Sequence, residues 1–149
     1  MEFMVAIDRS EESQTAFEYA LDIADGLDAS LIIVHSANPA VYEEGGSEPL
    51  SGVGDADERL LVENVMQAEQ RGLRTLEEAA ERASDRGVEV ETDLLFGDPV
   101  ETVPAAAEER DVSGIFVGHR GHSGRARELV GSVARGMVER ASVPVTVVR

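Results

Sequence analysis

Residues Ser113 to Val133 read SGIFVGHRGHSGRARELVGSV, and the change of character within this stretch decides the fold. It opens with a short apolar run, Gly114 to Val117, that stops abruptly at Gly118, as a buried strand does. Further on, Leu129, Val133, Met137 and Ala141 recur at helical spacing. Between them lies a strand-to-helix connection that carries Gly118, Gly121, Gly124 and Gly131. Glycines gather where backbone takes positive φ or lies close to a ligand, and the following helix start offers unpaired N–H groups and a positive dipole end. That combination suits a phosphate; a plain surface turn is the alternative for any glycine-rich loop.

Outward from this stretch, the same alternation of strand and helix runs through the chain. Phe3 to Ile7 is an apolar run ending at Asp8, followed by Ser10, Glu11 and Glu12, which supply cap and first-turn chemistry for a helix with Ala16, Phe17, Ala20, Leu21, Ala24 and Leu27 on one face. Leu31 to Val34 is a second buried run, ending at His35 and Ser36. Continuous apolar runs, without polar alternation, indicate strands covered on both faces and therefore a parallel sheet. From Asn38 to Asp57 the composition turns to Gly, Ser, Pro and Glu, a long loop that either closes over a ligand or has no ordered role.

A long helix follows, with Leu61, Val65, Ala68, Leu76, Ala79 and Ala83 on one side, weakened at Gly72 and ended at Gly87. Val88 to Leu95 alternates with Glu89, Glu91 and Asp93, which predicts an edge strand with one wetter face. Asp98-Pro99-Val100-Glu101 is a strong helix start. Val145 to Val148 closes the chain as a fifth strand, with Pro144 where no ladder donor is needed. The expectation is one domain over residues 1–149, a doubly wound five-stranded parallel α/β sheet in the order 3-2-1-4-5 with helices on both faces. With strand one central, the ends of strands one and four lie side by side, so Asp8 faces Gly118 across the place where ligands bind in such sheets.

Gly118-His119-Arg120-Gly121, nine residues, then Gly131-Ser132 matches G-x2-G-x9-G-[ST]. In this it resembles the nucleotide-binding branch of the universal stress protein family. MVAIDRSEES resembles that family's first strand and turn, LIIVHS its second strand, FGDPVETV its third βα junction, and GSVARGMVERASVPVTVVR its last helix and strand. The resemblance implies an adenine-nucleotide alpha-hydrolase-like fold and an ATP site. Ala6, Ile7, Ser36 and Val117 would border the adenine, and Asp8 would accept from ribose hydroxyls or adenine nitrogen. Gly118 and Gly121 would approach ribose and phosphates, and Gly131, Ser132 and Val133 would hold phosphate oxygens; apart from the resemblance, Arg120, Arg125 and Arg127 could serve the same anion or simply be solvated. It implies Mg²⁺ alongside the phosphates, and a homodimer paired through the last strands at Val145, Thr146, Val147 and Val148. Arg9 departs from the family, where a small or apolar residue commonly follows the aspartate; it either disturbs the ribose edge or adds a phosphate ligand.

Ser132 carries a separate argument. It stands where an N-cap belongs, yet Arg135 three residues on opposes the helix dipole, a conflict that a bound phosphate resolves. Two histidines, His119 and His122, fall in the glycine loop without an evident third ligand, so a hydrogen-bonding or exposed role is preferred to a metal site, and His35 reads as a strand-end residue satisfied by backbone. No nucleophile–base pair, P-loop lysine, HExxH or GxSxG occurs, so no residue is assigned a catalytic role. The leading function is an ATP-binding sensor or switch in stress response. The alternatives are a slow ATPase or self-phosphorylating protein, and a nucleotide-free partner-binding dimer.

Charge bounds the partners. Thirty acids against thirteen bases give a net charge of −17, every base is arginine, and cysteine is absent. Such a surface repels nucleic acid and anionic membrane. No signal peptide or membrane span is apparent in the sequence, which reads as cytoplasmic, and the lysine-free, acid-rich composition resembles proteins of salt-loving organisms. Residues 110–149 depart from this: seven arginines against three acids give +4, leaving −21 on the other 109 residues. A local positive field of this kind favours an anionic ligand, unless the arginines pair with acids elsewhere.

Overall fold

A computed structural model describes residues 1–37, 55–120 and 130–149. The elements run β1 (Glu2–Ala6), α1 (Glu11–Leu27), β2 (Ser30–Ala37), α2 (Asp55–Asp85), β3 (Val90–Phe96), α3 (Pro99–Glu109), β4 (Ile115–Gly118), α4 (Ser132–Arg140) and β5 (Val145–Val148). All five strands are parallel, in the order β3-β2-β1-β4-β5. The expected topology is the observed one.

The doubly covered sheet follows from the apolar runs. Because successive side chains point to opposite faces, a strand apolar at every position feeds two cores at once. Val5, Leu31, Ile33 and Phe116 pack with Phe17 and Leu21 of α1 and Leu76 and Ala83 of α2. Their neighbours Met4, Ile32, Val34, Ile115 and Val117 pack on the other face with Val103 and Ala107 of α3 and Met137 of α4. Acid-rich β3 is the wetter edge, as its alternation predicts, with Glu91, Thr92 and Phe96 exposed.

Helix starts are set by local chemistry. The Ser10 hydroxyl accepts from Ser13 N–H at 3.1 Å and caps α1, and the Asp98 carboxylate accepts from Val100 N–H at 3.0 Å with Pro99 in the first turn of α3. The left-handed φ of +75° at Gly87 lets the chain turn out of α2. Gly72, inside α2, permits contact rather than a bend: a Cβ there would fall 2.7 Å from Leu94 and 2.9 Å from His35, so the missing side chain lets the helix lie directly on β2 and β3. α2 begins at Asp55, inside the stretch read as loop; the rest of that loop lies outside the described residues.

Candidate functional site

β1 and β4 are adjacent, with Met4 opposite Ile115 and Val5 opposite Phe116, so their carboxyl ends open together where the sheet reverses direction. A cleft of about 110 Å³ lies there. Ala6, Ile7, Asp8, Ser36, Val117, Gly118, Arg120, Gly131, Ser132 and Val133 all line it, which brings together ten of the eleven residues predicted for one ligand site. The eleventh, Gly121, lies outside the described residues, as do Gly124, His122, Arg125, Arg127 and Leu129. Ser13, His35, Pro99, Val103, Ala134 and Met137 complete the lining and were not predicted.

Each wall has its own cause. Asp8 Oδ1 accepts from the backbone N–H of Ser10 at 2.7 Å and from the Ser10 hydroxyl, while Ser13 Oγ donates to Asp8 O at 3.1 Å and accepts from Asp8 N–H at 2.7 Å. This carboxylate therefore shapes the β1–α1 turn with one oxygen, and its Oδ2 makes no hydrogen bond among the described residues. Ser36 Oγ donates to Gly97 O at 2.7 Å and sits 2.9 Å from the Thr102 hydroxyl, locking β2 to the β3–α3 junction. His35 Nδ1 lies 2.8 Å from Ile7 O, the backbone partner expected of a strand-end histidine.

Gly118 and Gly131 are glycine for reasons of contact. A Cβ on Gly118 would lie 2.8 Å from the carbonyl of Glu12 and 3.1 Å from Ser13 N, so the end of β4 abuts the first turn of α1. On Gly131 it would lie 3.2 Å from His119 O and 3.3 Å from Arg120 Cα. Gly131, not Ser132, is the N-cap of α4, which corrects the sequence reading by one residue. The reason is visible in the backbone: Gly131 N–H donates to His119 O at 2.5 Å while its own carbonyl accepts from Arg135, which places the turn one residue earlier. A glycine has no side chain to cap with. Hence α4, unlike α1 and α3, starts without a side-chain cap hydrogen bond, and its first-turn residues Ser132, Val133 and Ala134 line the cleft.

The arginines divide. Arg110 pairs with Glu91 at 2.5 Å, which raises its guanidinium further above the ordinary range, and Arg140 reaches Glu101 at 3.3 Å, so both are spent on other elements. Arg9 turns away from the cleft: its Nε–H points to Thr75 Oγ1 of α2 at 3.4 Å, lining a separate groove with Gln14 and Arg82. Neither half of the expectation for Arg9 fits this geometry, since it touches neither wall of the main cleft. Arg120 does line it, with its Nε–H on His119 Nε2 at 3.0 Å. Among the described residues no group of three or more His, Cys, Asp or Glu could hold a metal ion, and no helix is long and apolar enough to cross a membrane.

An open parallel sheet with a cleft where its strand order reverses, beside a helix start without a side-chain cap, defines an α/β protein with the adenine nucleotide alpha-hydrolase-like fold. The chain belongs to the universal stress protein family, whose model matches residues 1–149. Universal stress protein YxiE of Bacillus subtilis is 34% identical over 146 residues, covering 98% of this chain and 97% of that one. Universal stress protein UspA from Lactobacillus plantarum shares the fold at a TM-score of 0.84 and 20% identity, with 100% and 97% of the two chains covered. A universal stress protein solved in complex with cAMP superposes at a TM-score of 0.69 and 26% identity, over 100% of this chain and 97% of its own. A family member from Arabidopsis thaliana with AMP bound does so at 0.68 and 19%, over 99% and 90%.

Proposed function

We propose that this chain is an adenine-nucleotide-binding universal stress protein, one domain over its length, with ATP in the β1–β4 cleft acting as a switch in stress response. The observation that carries the reading is the convergence, on one cleft whose rim is the uncapped start of α4, of ten of the residues expected around one ligand. The relative solved with cAMP binds a ligand of the same chemistry. In this reading the apolar floor of Ala6, Ile7 and Val117 and the locked Ser36 take the adenine, Asp8 Oδ2 takes a ribose hydroxyl, and the α4 N–H groups with Arg120 take phosphate. A cleft of about 110 Å³ is smaller than the roughly 300–1,000 Å³ of a full ligand pocket, so it encloses the base and leaves the phosphates at the rim.

Asp8 is the sole carboxylate among the described lining residues, too few for an all-protein cage; Mg²⁺ would be carried chiefly by the phosphates, which suits its habit of keeping water and phosphate ligands. β5 is a sheet edge, and antiparallel pairing of two copies along it gives the dimer of this proposal. The net charge of −17 is read as adaptation to a salt-loaded cytoplasm.

The test is thermal unfolding in molar KCl with and without Mg-ATP. Ligand at about a hundred times its dissociation constant adds roughly 2.7 kcal/mol, or about 5–11 °C for a domain of this size. Loss of that shift in Arg120→Ala would assign it to the cleft; no shift at millimolar Mg-ATP in the unaltered protein would refute nucleotide binding.

A further inference from the structure

Arg120 is held, and the group that holds it is His119. Arginine has no acceptor atom, so the 3.0 Å contact between Arg120 Nε and His119 Nε2 requires Nε2 to accept. That fixes the neutral imidazole with its proton on Nδ1, and Nδ1 lies 3.3 Å from the carbonyl of Val148 in β5, an acceptor. The His119 backbone is anchored on both sides: its N–H donates to the same Val148 carbonyl at 2.9 Å, and its C=O receives Gly131 N–H at 2.5 Å. One residue thus ties the end of β5, the N-cap of α4 and the Arg120 guanidinium together.

The placement has a direction. A Cβ on Gly131 would fall 3.8 Å from Arg120 Cγ, so the Arg120 side chain lies over the α4 start. Its remaining guanidinium N–H groups make no hydrogen bond among the described residues and are left for an anion.

We propose that His119 is a positioning residue that orients Arg120 toward ligand phosphate at the α4 start. This rests on the nucleotide reading of the cleft given above. A free arginine side chain has many rotamers to lose on binding a phosphate; one already hydrogen-bonded loses fewer, which favours ligands that carry phosphate over those that do not. The imidazole itself need not touch ligand. Its second bond, to β5, holds the ring in the one orientation that offers Nε2 to Arg120.

The experiment is calorimetric titration of the unaltered protein, His119→Ala, His119→Gln, Arg120→Ala and the His119→Ala/Arg120→Ala double variant with Mg-ATP, AMP and adenosine. Expected are a loss of roughly 3- to 10-fold for ATP and AMP in His119→Ala, unchanged adenosine affinity, and partial rescue by His119→Gln, whose amide can still accept from Arg120. In the Arg120→Ala background the His119 substitution should have no further effect. A loss as large for adenosine as for ATP would make His119 merely structural, and an undiminished effect without Arg120 would break the proposed route; either overturns the proposal. Failure of the unaltered protein to bind ATP would overturn the cleft reading and this proposal with it, whereas binding with an inert His119 overturns this one alone.

Discussion

Replacing Gly118 by alanine separates two explanations of the most prominent glycine in the chain. Gly118 is not among the residues with positive φ, so alanine meets no conformational penalty there. The obstacle is contact: the new Cβ would stand 2.8 Å from both the carbonyl carbon and oxygen of Glu12 and 3.1 Å from Ser13 N. These are backbone atoms of the first turn of α1, which cannot swing aside as a side-chain tip does. The turn must move as a unit, along with the Ser13 hydroxyl bonded to both backbone groups of Asp8. Overpacking of this kind costs about 1–3 kcal/mol, and a cost near 2 lowers the midpoint of a domain this size by about 4–8 °C. Differential scanning calorimetry of the ligand-free variant measures it. If Gly118 were glycine only to admit a ligand, alanine would leave the ligand-free protein unchanged or stabilise it by about 0.4–1 kcal/mol through the unfolded chain. A ligand-free midpoint equal to or above that of the unaltered protein would therefore refute the packing argument.

Ser132→Asp should move two quantities in opposite directions. A carboxylate in the first turn of the uncapped α4 stabilises the ligand-free protein by about 0.3–1 kcal/mol, or about 1–4 °C, yet repels phosphate and diminishes the Mg-ATP shift; a calorimetric scan with and without nucleotide reads both. Val147→Pro should give monomers by light scattering with the fold intact by circular dichroism. Pro144 and Val148 accept from Ile115 of β4 and from His119 just beyond it, so by strand alternation Thr146 also faces β4, and the outward backbone groups belong to Val145 and Val147. A dimer unchanged in Val147→Pro rules out the β5 edge. Asp98→Ala removes the cap on α3 and should cost about 1 kcal/mol in chemical denaturation without altering nucleotide affinity, since Asp98 does not line the cleft.

The sheet was legible because its three inner strands carry continuous apolar runs: Met4-Val5, Leu31 to Val34 and Ile115 to Val117 supply both cores in a few residues each, as a parallel sheet covered on both faces requires. The polar side of the cleft was legible through spacing, since Asp8, Gly118 and Gly131 fall at strand ends and a helix start. What sequence did not convey is direction. Arg9 sits next to Asp8 in the chain but crosses to Thr75 of α2, because consecutive side chains at a strand end point apart. Gly118 lines the cleft and also abuts the α1 backbone, a contact that its spacing does not reveal. The cap of α4 falls on Gly131 because a backbone bond to His119, thirteen positions from Ser132, sets the turn. Ser13, His35 and Met137 were missed as lining residues; only Ser13, three residues beyond the Ser10 cap, carries a local signal that it turns back toward Asp8.

The most direct measurement of the central claim is amide chemical-shift mapping of the isotope-labelled protein in molar KCl as Mg-ATP is added. The account predicts the largest changes at the amides of Ser132, Val133 and Ala134 and at Asp8, Arg120 and Ser36, with Glu91 on the far edge and the Arg9–Thr75 groove unmoved. Changes confined to that groove, or none at saturating nucleotide, would contradict it.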